Sequence, residues 1–199
     1  VKDEPTDLQN NEKYQQIFKT AKELFFRYGI RRVSIEEICR TAQVSKMTFY
    51  KFFKNKIDLV LVILKQLYDD AEVEIDNIMN ADIPFTEKAK LTIEMKRRQT
   101  EFMGQELWID MVQNPIPEVN QFIEMKKKYF IGKILNIYTE AQKKGDIRAD
   151  IKPEFIFYIL NLLAEISKDK KLMELYETPQ ALAEEMIKFY FYGIITRKE

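Results

Sequence analysis

Apolar residues recur at three- and four-residue spacing along most of this 199-residue chain, and no pair of alternating segments reads as neighbouring strands. That period belongs to amphipathic helices. Ile17, Ala21, Leu24, Phe25 and Tyr28 predict a first helix from about Lys13 to Tyr28, stopped by Gly29. Two short helices follow within Ser34–Phe53, SIEEICRTAQVSKMTFYKFF. Ser34 is the cap of the first, Glu37 is placed to reach back to the Ser34 N–H, and Val33 pairs with Ile38 as a staple. Loss of the Ser34 cap alone costs about 1 kcal/mol. Ser45 and the pair Val44/Phe49 repeat the plan for the second. Only Gln43 and Val44 lie between, which predicts a sharp corner. Ile35, Ile38, Ala42, Val44, Phe49 and Phe53 form the inner face, leaving Lys46, Thr48, Tyr50 and Lys51 outside.

Beyond the corner the same period continues. Asn55 can cap a long helix to about Asn80, with Asp58 in its first turn, and Ile83-Pro84 interrupts it. Further helices are predicted over about Thr86–Gly104 and Glu106–Gln113, ahead of Asn114-Pro115-Ile116-Pro117. Pro117 suits the first turn of a helix ending at Lys144, with Gly145 as a left-handed terminator. Pro153 opens a helix to about Lys168, and Thr178-Pro179 opens the last, to about Thr196. Residues 1–12 are polar and lack periodicity, as a frayed arm would. The expectation is an all-α chain of about nine helices without internal repeat.

Composition agrees and narrows the chemistry. Hydrophobic residues make up 46% and charged residues 32%, with five glycines and six prolines. No apolar run approaches the roughly 20 residues that cross a bilayer, and no signal-peptide pattern opens the chain, so an intracellular protein is expected. The lone Cys39 has no internal disulfide partner and reads as a small buried hydrophobe. The absence of histidine removes the commonest general base and zinc ligand. No cofactor or metal site is called for. The net charge of zero hides a division: residues 13–56 hold eleven Lys/Arg against three acids, a net +8, leaving −8 on the remainder. One basic end on an otherwise acidic molecule is drawn toward a polyanion.

The outward set Lys46, Thr48, Tyr50 and Lys51 offers cations, a hydroxyl and an aromatic to phosphates and base edges. Across about Lys13 to Leu67, a helix ending LFFRYG is followed by VSIEEICRTA, QVSKMTFYKFF and NKIDL. That spaced pattern resembles the DNA-binding domain of the tetracycline-repressor (TetR) family. The resemblance implies an N-terminal helix–turn–helix domain over about 10–70 and a regulatory, ligand-binding and dimerisation domain over 71–199. It also implies a bacterial cytoplasmic regulator, no membrane association, and a recognition helix opening at Ser45-Lys46-Met47-Thr48-Phe49-Tyr50, with Tyr50 and Lys56 on phosphates. The candidate DNA-binding residues are therefore Ser34, Ser45, Lys46, Met47, Thr48, Tyr50, Lys51 and Lys56. A lysine in a helix's first turn opposes the macrodipole, so an anionic partner is expected for Lys56. Three positions depart from the family pattern: Gln43 at the usual turn glycine, Met47 where glycine is common, and Cys39 where alanine is usual.

The rest of the chain carries no sharp motif. Phe102, Met103, Trp108, Met111, Tyr129 and Phe130 are candidate ligand-binding residues for a small apolar or aromatic effector, although core packing is the commoner use of such stripes. Glu101, Glu106 and Asp110 would favour a cationic guest if they point inward. Phe155, Ile159, Leu162, Leu163, Ile166, Met186, Phe189, Tyr190 and Gly193 are candidate homodimer residues, by resemblance to a family that pairs its last two helices. The expected function is a homodimeric, sequence-specific regulator, a repressor released from a palindromic double-stranded DNA operator by a ligand. The rivals are a ligand-independent regulator or chromosome-organising factor, and an enzyme or interaction protein that binds no DNA. The enzyme lacks a recognisable nucleophile–base pair.

Overall fold

A computed structural model describes residues 11–100, 104–113, 115–166 and 169–194. Its elements are α1 (Glu12–Tyr28), α2 (Ile35–Thr41), α3 (Lys46–Phe52), α4 (Lys56–Asn80), α5 (Phe85–Thr100) and α6 (Gln105–Trp108), which continues as a π-helical turn over Ile109–Gln113. They are followed by α7 (Pro117–Lys143), α8 (Pro153–Ile166), α9 (Lys170–Met173) and α10 (Pro179–Ile194). The all-α expectation holds, with no β-strand among the described residues. The helix beyond the expected nine is α9, a single turn capped by the Asp169 carboxylate, which accepts from the Lys171 and Leu172 N–H groups at 2.8 and 3.2 Å.

Local rules set most of the boundaries. The Ser34 Oγ accepts from the Glu37 N–H at 3.1 Å, and the Ser45 Oγ accepts from the Thr48 N–H at 3.0 Å. Asn55 caps α4 by accepting from the Asp58 N–H at 2.8 Å, and the Asp58 carboxylate accepts from the Lys54 N–H at 2.9 Å. The two bonds close a reciprocal cap. Helix α2 ends in a Schellman motif: the Val44 N–H reaches the Cys39 carbonyl at 2.9 Å and the Gln43 N–H reaches Arg40 at 3.3 Å. Gln43 takes the left-handed position, φ 53°. Helix α7 ends in the same motif, with Gly145 at φ 78°.

The chain forms two compact units. One holds described residues 11–69 and 104–122, the other 70–100 and 123–194. The division expected at residue 70 therefore omits a returning segment. Backbone and charge draw it back: the Gly104 N–H donates to the Phe26 carbonyl at 2.8 Å, and Asp110 pairs with Arg31. The first unit buries Ile17, Ala21, Phe25, Val33, Ile38, Phe49, Phe53 and Leu59, together with Leu107 and Val119 from the returning segment. The Tyr14 ring sits edge-on to Phe52 at 5.7 Å and tilted against Phe53 at 5.2 Å. The second unit has one core of Phe85, Tyr138, Ala141, Ile147, Ile156, Tyr190 and Ile194, and a smaller one of Ile75, Ile78 and Met95.

Candidate nucleic-acid interface

Helices α2 and α3 place their apolar residues under the corner and their polar ones above it. Phe49 is fully buried, against Phe53 and edge-on to Tyr50. That contact supports the Tyr50 ring from below while leaving it 55% exposed, and Met47 stands 73% exposed one turn earlier. Lys46 and Lys51 are exposed, and Thr48 is half-buried with its hydroxyl 2.9 Å from the Ser45 Oγ. Ser34 and Ser45 act as caps through their acceptor oxygens; Ser34 keeps a hydroxyl proton to donate, and the Ser45–Thr48 hydroxyl pair keeps one between them. Seven of the eight candidate residues thus lie at the two helix starts or along α3, and Lys56 lies beyond it at the start of α4.

Lys56 departs from its expected role. Its ammonium is turned inward and donates to the carbonyls of Ile30, Arg31 and Val33 at 2.7, 3.2 and 2.8 Å. Three protons and three acceptors leave it no donor for a phosphate. Burial pushes its pKa below the usual lysine value, helped by Arg31 and opposed by Asp110. The loop between α1 and α2 exposes carbonyls that no helix satisfies, and Lys56 satisfies them. Its place at the positive end of α4 is thereby explained without an anion.

The same loop is held from its other side by a residue with no sequence signal for this role. Asp110, only 5% exposed, accepts from the Arg31 N–H at 2.9 Å and pairs with the Arg31 Nε at 3.1 Å. Gly29, φ 81°, passes so close to Asp110 that a Cβ there would lie 2.8 Å from its Oδ2. Asp110 is thus committed to Arg31 and not to a cationic guest; Glu106 is exposed. Arg27 and Arg32 each set a guanidinium over the Tyr28 ring, 5.2 and 4.4 Å from its centre. Cys39 is buried, and that burial raises its pKa, as suits a packing residue and not a reactive thiol.

The other candidate residues divide. Phe102 and Met103 lie outside the described residues. Trp108 and Met111 are half-buried in the first unit, and Tyr129 and Phe130 belong to the second. Tyr129 is exposed and its hydroxyl meets the Glu72 carboxylate, whereas Phe130 packs on the Ile75, Ile78 and Met95 core. Of the dimer candidates, Phe155, Leu162, Phe189 and Gly193 are exposed, and Met186 and Ile166 are half-buried. Tyr190 is a correction: it lies in the core beside Tyr138, because Leu182, Tyr190 and Ile194 form the inner stripe of α10. Ile159 and Leu163 are partly buried against that same core. Tyr158 and Tyr192, absent from the expected set, are exposed and lie on the outer stripes with Phe155, Leu162 and Phe189.

A basic, capped helix pair with an exposed aromatic defines a helix–turn–helix domain. Residues 17–63 match the family model of bacterial regulatory proteins of the tetR family. The chain is 30% identical over 138 residues to the HTH-type transcriptional regulator YuxN of Bacillus subtilis (strain 168), covering 64% of this chain and 46% of that protein. It therefore spans about half the length of that relative. Regulatory protein TetR from Rhodobacter sphaeroides superimposes with a TM-score of 0.70 at 17% identity, covering 93% of this chain and all (100%) of that one. A transcriptional regulator from Saccharomonospora viridis in complex with choline gives a TM-score of 0.70 at 18% identity, over 92% of this chain and 97% of its own. Over residues 17–63 the chain is thus similar to bacterial regulatory proteins of the tetR family, and the relatives it matches are transcriptional regulators. No described helix is long and apolar enough to cross a membrane.

Proposed function

We propose that the chain is a homodimeric, sequence-specific repressor that leaves a palindromic operator when a small ligand binds. The observation that carries this reading is the exposed face of α3: Lys46, Met47, Tyr50 and Lys51 surround a buried Phe49 that fixes the helix. Met47 and Thr48 are the base-reading candidates, Met47 through apolar contact with thymine methyls, and Tyr50 and Lys51 serve phosphates. One helix of seven residues offers few base contacts, so two copies related by a two-fold axis are needed. The outer stripes of α8 and α10, with Phe155, Tyr158, Leu162, Phe189 and Tyr192 in solvent, support a second copy as partner. A Cβ on Gly193 would meet nothing within 4 Å, which leaves room there for a neighbouring helix.

Selection from a random duplex pool tests the reading. The expected sites are two-fold symmetric with half-sites about 34–36 Å apart or a multiple of that. Met47→Ala and Thr48→Ala should each change the preferred bases at fixed positions. Failure to bind any duplex at low salt would overturn the proposal.

Trp108 supports the ligand arm. Its buried Nε1 finds no acceptor among the described residues, and an unpartnered buried donor costs about 1–3 kcal/mol. A bound effector would supply that acceptor or stack on the indole. Trp108 is the chain's single tryptophan, so its emission reports directly on the site. Titration with choline and with small apolar or aromatic compounds should shift that emission and release DNA for whichever class binds. Emission unchanged throughout would remove these classes.

A further inference from the structure

The geometry points to Glu36 as a positioning residue for Lys46: it withholds that ammonium from phosphates of non-cognate DNA and so contributes to specificity. The inference rests on the DNA-binding reading above. Lys46 opens α3 and Glu36 lies in the first turn of α2, ten residues earlier, yet the Lys46 Nζ donates to the Glu36 Oε1 across the corner. Both side chains are otherwise in solvent, at 54% and 66% exposure. Each helix start is a partial positive charge, which favours Glu36 on α2 and disfavours Lys46 on α3. The carboxylate offsets the misplaced cation. Its hydrogen bond from Lys46 holds the Glu36 pKa below the usual carboxylate value and raises that of Lys46.

An acid on a face meant for a polyanion needs a reason. Glu36 is one of only three acids in the segment that carries eleven cations. Lys46 keeps two further N–H donors, but a phosphate accepting from them beside the paired carboxylate meets its negative charge. A full-strength phosphate contact therefore requires Lys46 to swing off Glu36, which then faces the duplex bare. A nonspecific complex gains one ion contact and loses another while adding repulsion, so Lys46 stays with Glu36 there. A cognate complex can repay the exchange through base-edge acceptors that Lys46 reaches as part of a fitted interface. Specificity rises because the wrong complex is denied a cation, not because the right one gains a contact.

The test uses the full chain and a labelled mixed-sequence duplex, with anisotropy measured from 50 to 200 mM salt. Glu36→Gln frees Lys46 for phosphate. Its log affinity against log salt should steepen by about 0.9 for each protomer engaged, an extra loss of about 3.5-fold over that range. Glu36→Asp should keep the wild-type slope, and Glu36→Gln should change nothing in a Lys46→Met background. Equal slopes for wild type and Glu36→Gln would overturn the inference while leaving DNA binding intact. An effect of Glu36→Gln that persists without Lys46 would overturn it too, since a general field would then be the cause. A wild type that binds no duplex at 50 mM salt would sink this and the DNA-binding reading together. Thermal melts at the wild-type temperature establish that each variant is folded.

Discussion

Helices α3 and α10 both bury one stripe and show aromatic side chains to water, but they set those aromatics in opposite company. Beside Tyr50 on α3 stand Lys46 and Lys51; the outer stripes of α10 and its core partner α8 carry Phe189, Tyr192, Phe155, Tyr158 and Leu162. An aromatic among cations suits a highly charged, hydrated partner, whose binding weakens as salt screens it. An aromatic among apolar neighbours gains by leaving water altogether, and salt does little to that. The difference teaches that exposed hydrophobic area has no single meaning in this chain: the charges beside it select the partner. Rising salt should therefore release DNA well before it disturbs subunit association.

The largest effect that sharpens the contrast uses one residue type on both faces. Phe49 is fully buried and Phe189 is 77% exposed. Phe49→Ala should cost about 3–5 kcal/mol in denaturant unfolding through the cavity it leaves. Phe189→Ala should leave unfolding of the isolated protomer within about 0.5 kcal/mol of wild type. The comparison requires dilution below the association range, because dimerisation adds to apparent stability. A comparable loss at Phe189 under that dilution would show that α10 depends on its outer stripe to fold, and would break the contrast.

Charge reversal in company tests the next step. Phe189→Asp should raise the dimer dissociation constant at least about 30-fold, the scale of losing a central interface anchor. Tyr50→Asp should leave the oligomeric state untouched and weaken DNA binding for every sequence. Sedimentation equilibrium reads the first and anisotropy the second. A monomeric Tyr50→Asp, or a dimeric Phe189→Asp, would reverse the assignment of the two faces.

Two lysines on the first face take the contrast to a single side chain. Lys56→Ala leaves the carbonyls of Ile30, Arg31 and Val33 without their donor, so stability should fall by about 1–3 kcal/mol. The salt slope of DNA binding should not change. Lys51→Ala should do the reverse, with stability held and the slope flatter by about 0.9 per protomer engaged. A flattened slope for Lys56→Ala would restore the phosphate role expected from sequence.

What the sequence made legible follows the range of each interaction. The caps at Ser34, Ser45 and Asn55 act within three residues, and so does the left-handed stop at Gly145, so their signals sit in a short window. The helix–turn–helix face was legible for the same reason, since each stripe repeats every turn. Lys56 was misread because its acceptors are loop carbonyls 23–26 residues away, and no side-chain pattern announces a carbonyl in need of a donor. Asp110 shows no sequence signal for its role because Arg31 lies 79 residues off. Tyr190 was placed outside because α10 is apolar on more than one side, so periodicity alone does not say which stripe meets the core. The single turn of α9 is too short to show a period at all.

Gln43 gives the smallest effect and isolates backbone geometry from both faces. The Schellman motif that ends α2 needs a left-handed residue there, and Gln43 supplies it at φ 53° with a Cβ in place. That conformation costs an L-residue about 1–2 kcal/mol. Gln43→Gly removes the strain, but glycine's freer unfolded chain takes back about 0.4–1 kcal/mol. The net should be stabilisation by up to about 1 kcal/mol, or about 2–4 °C in melting temperature for a domain of this size. The motif's two bonds run between backbone groups, so α2 and α3 keep their angle and DNA affinity should stay within about twofold. Gln43→Val should lose stability, because a β-branched side chain resists positive φ more than glutamine does. If Gln43→Gly is instead destabilised, the amide side chain must be holding the corner, and the corner is then not the backbone-determined joint that lets the two helix starts be read from sequence.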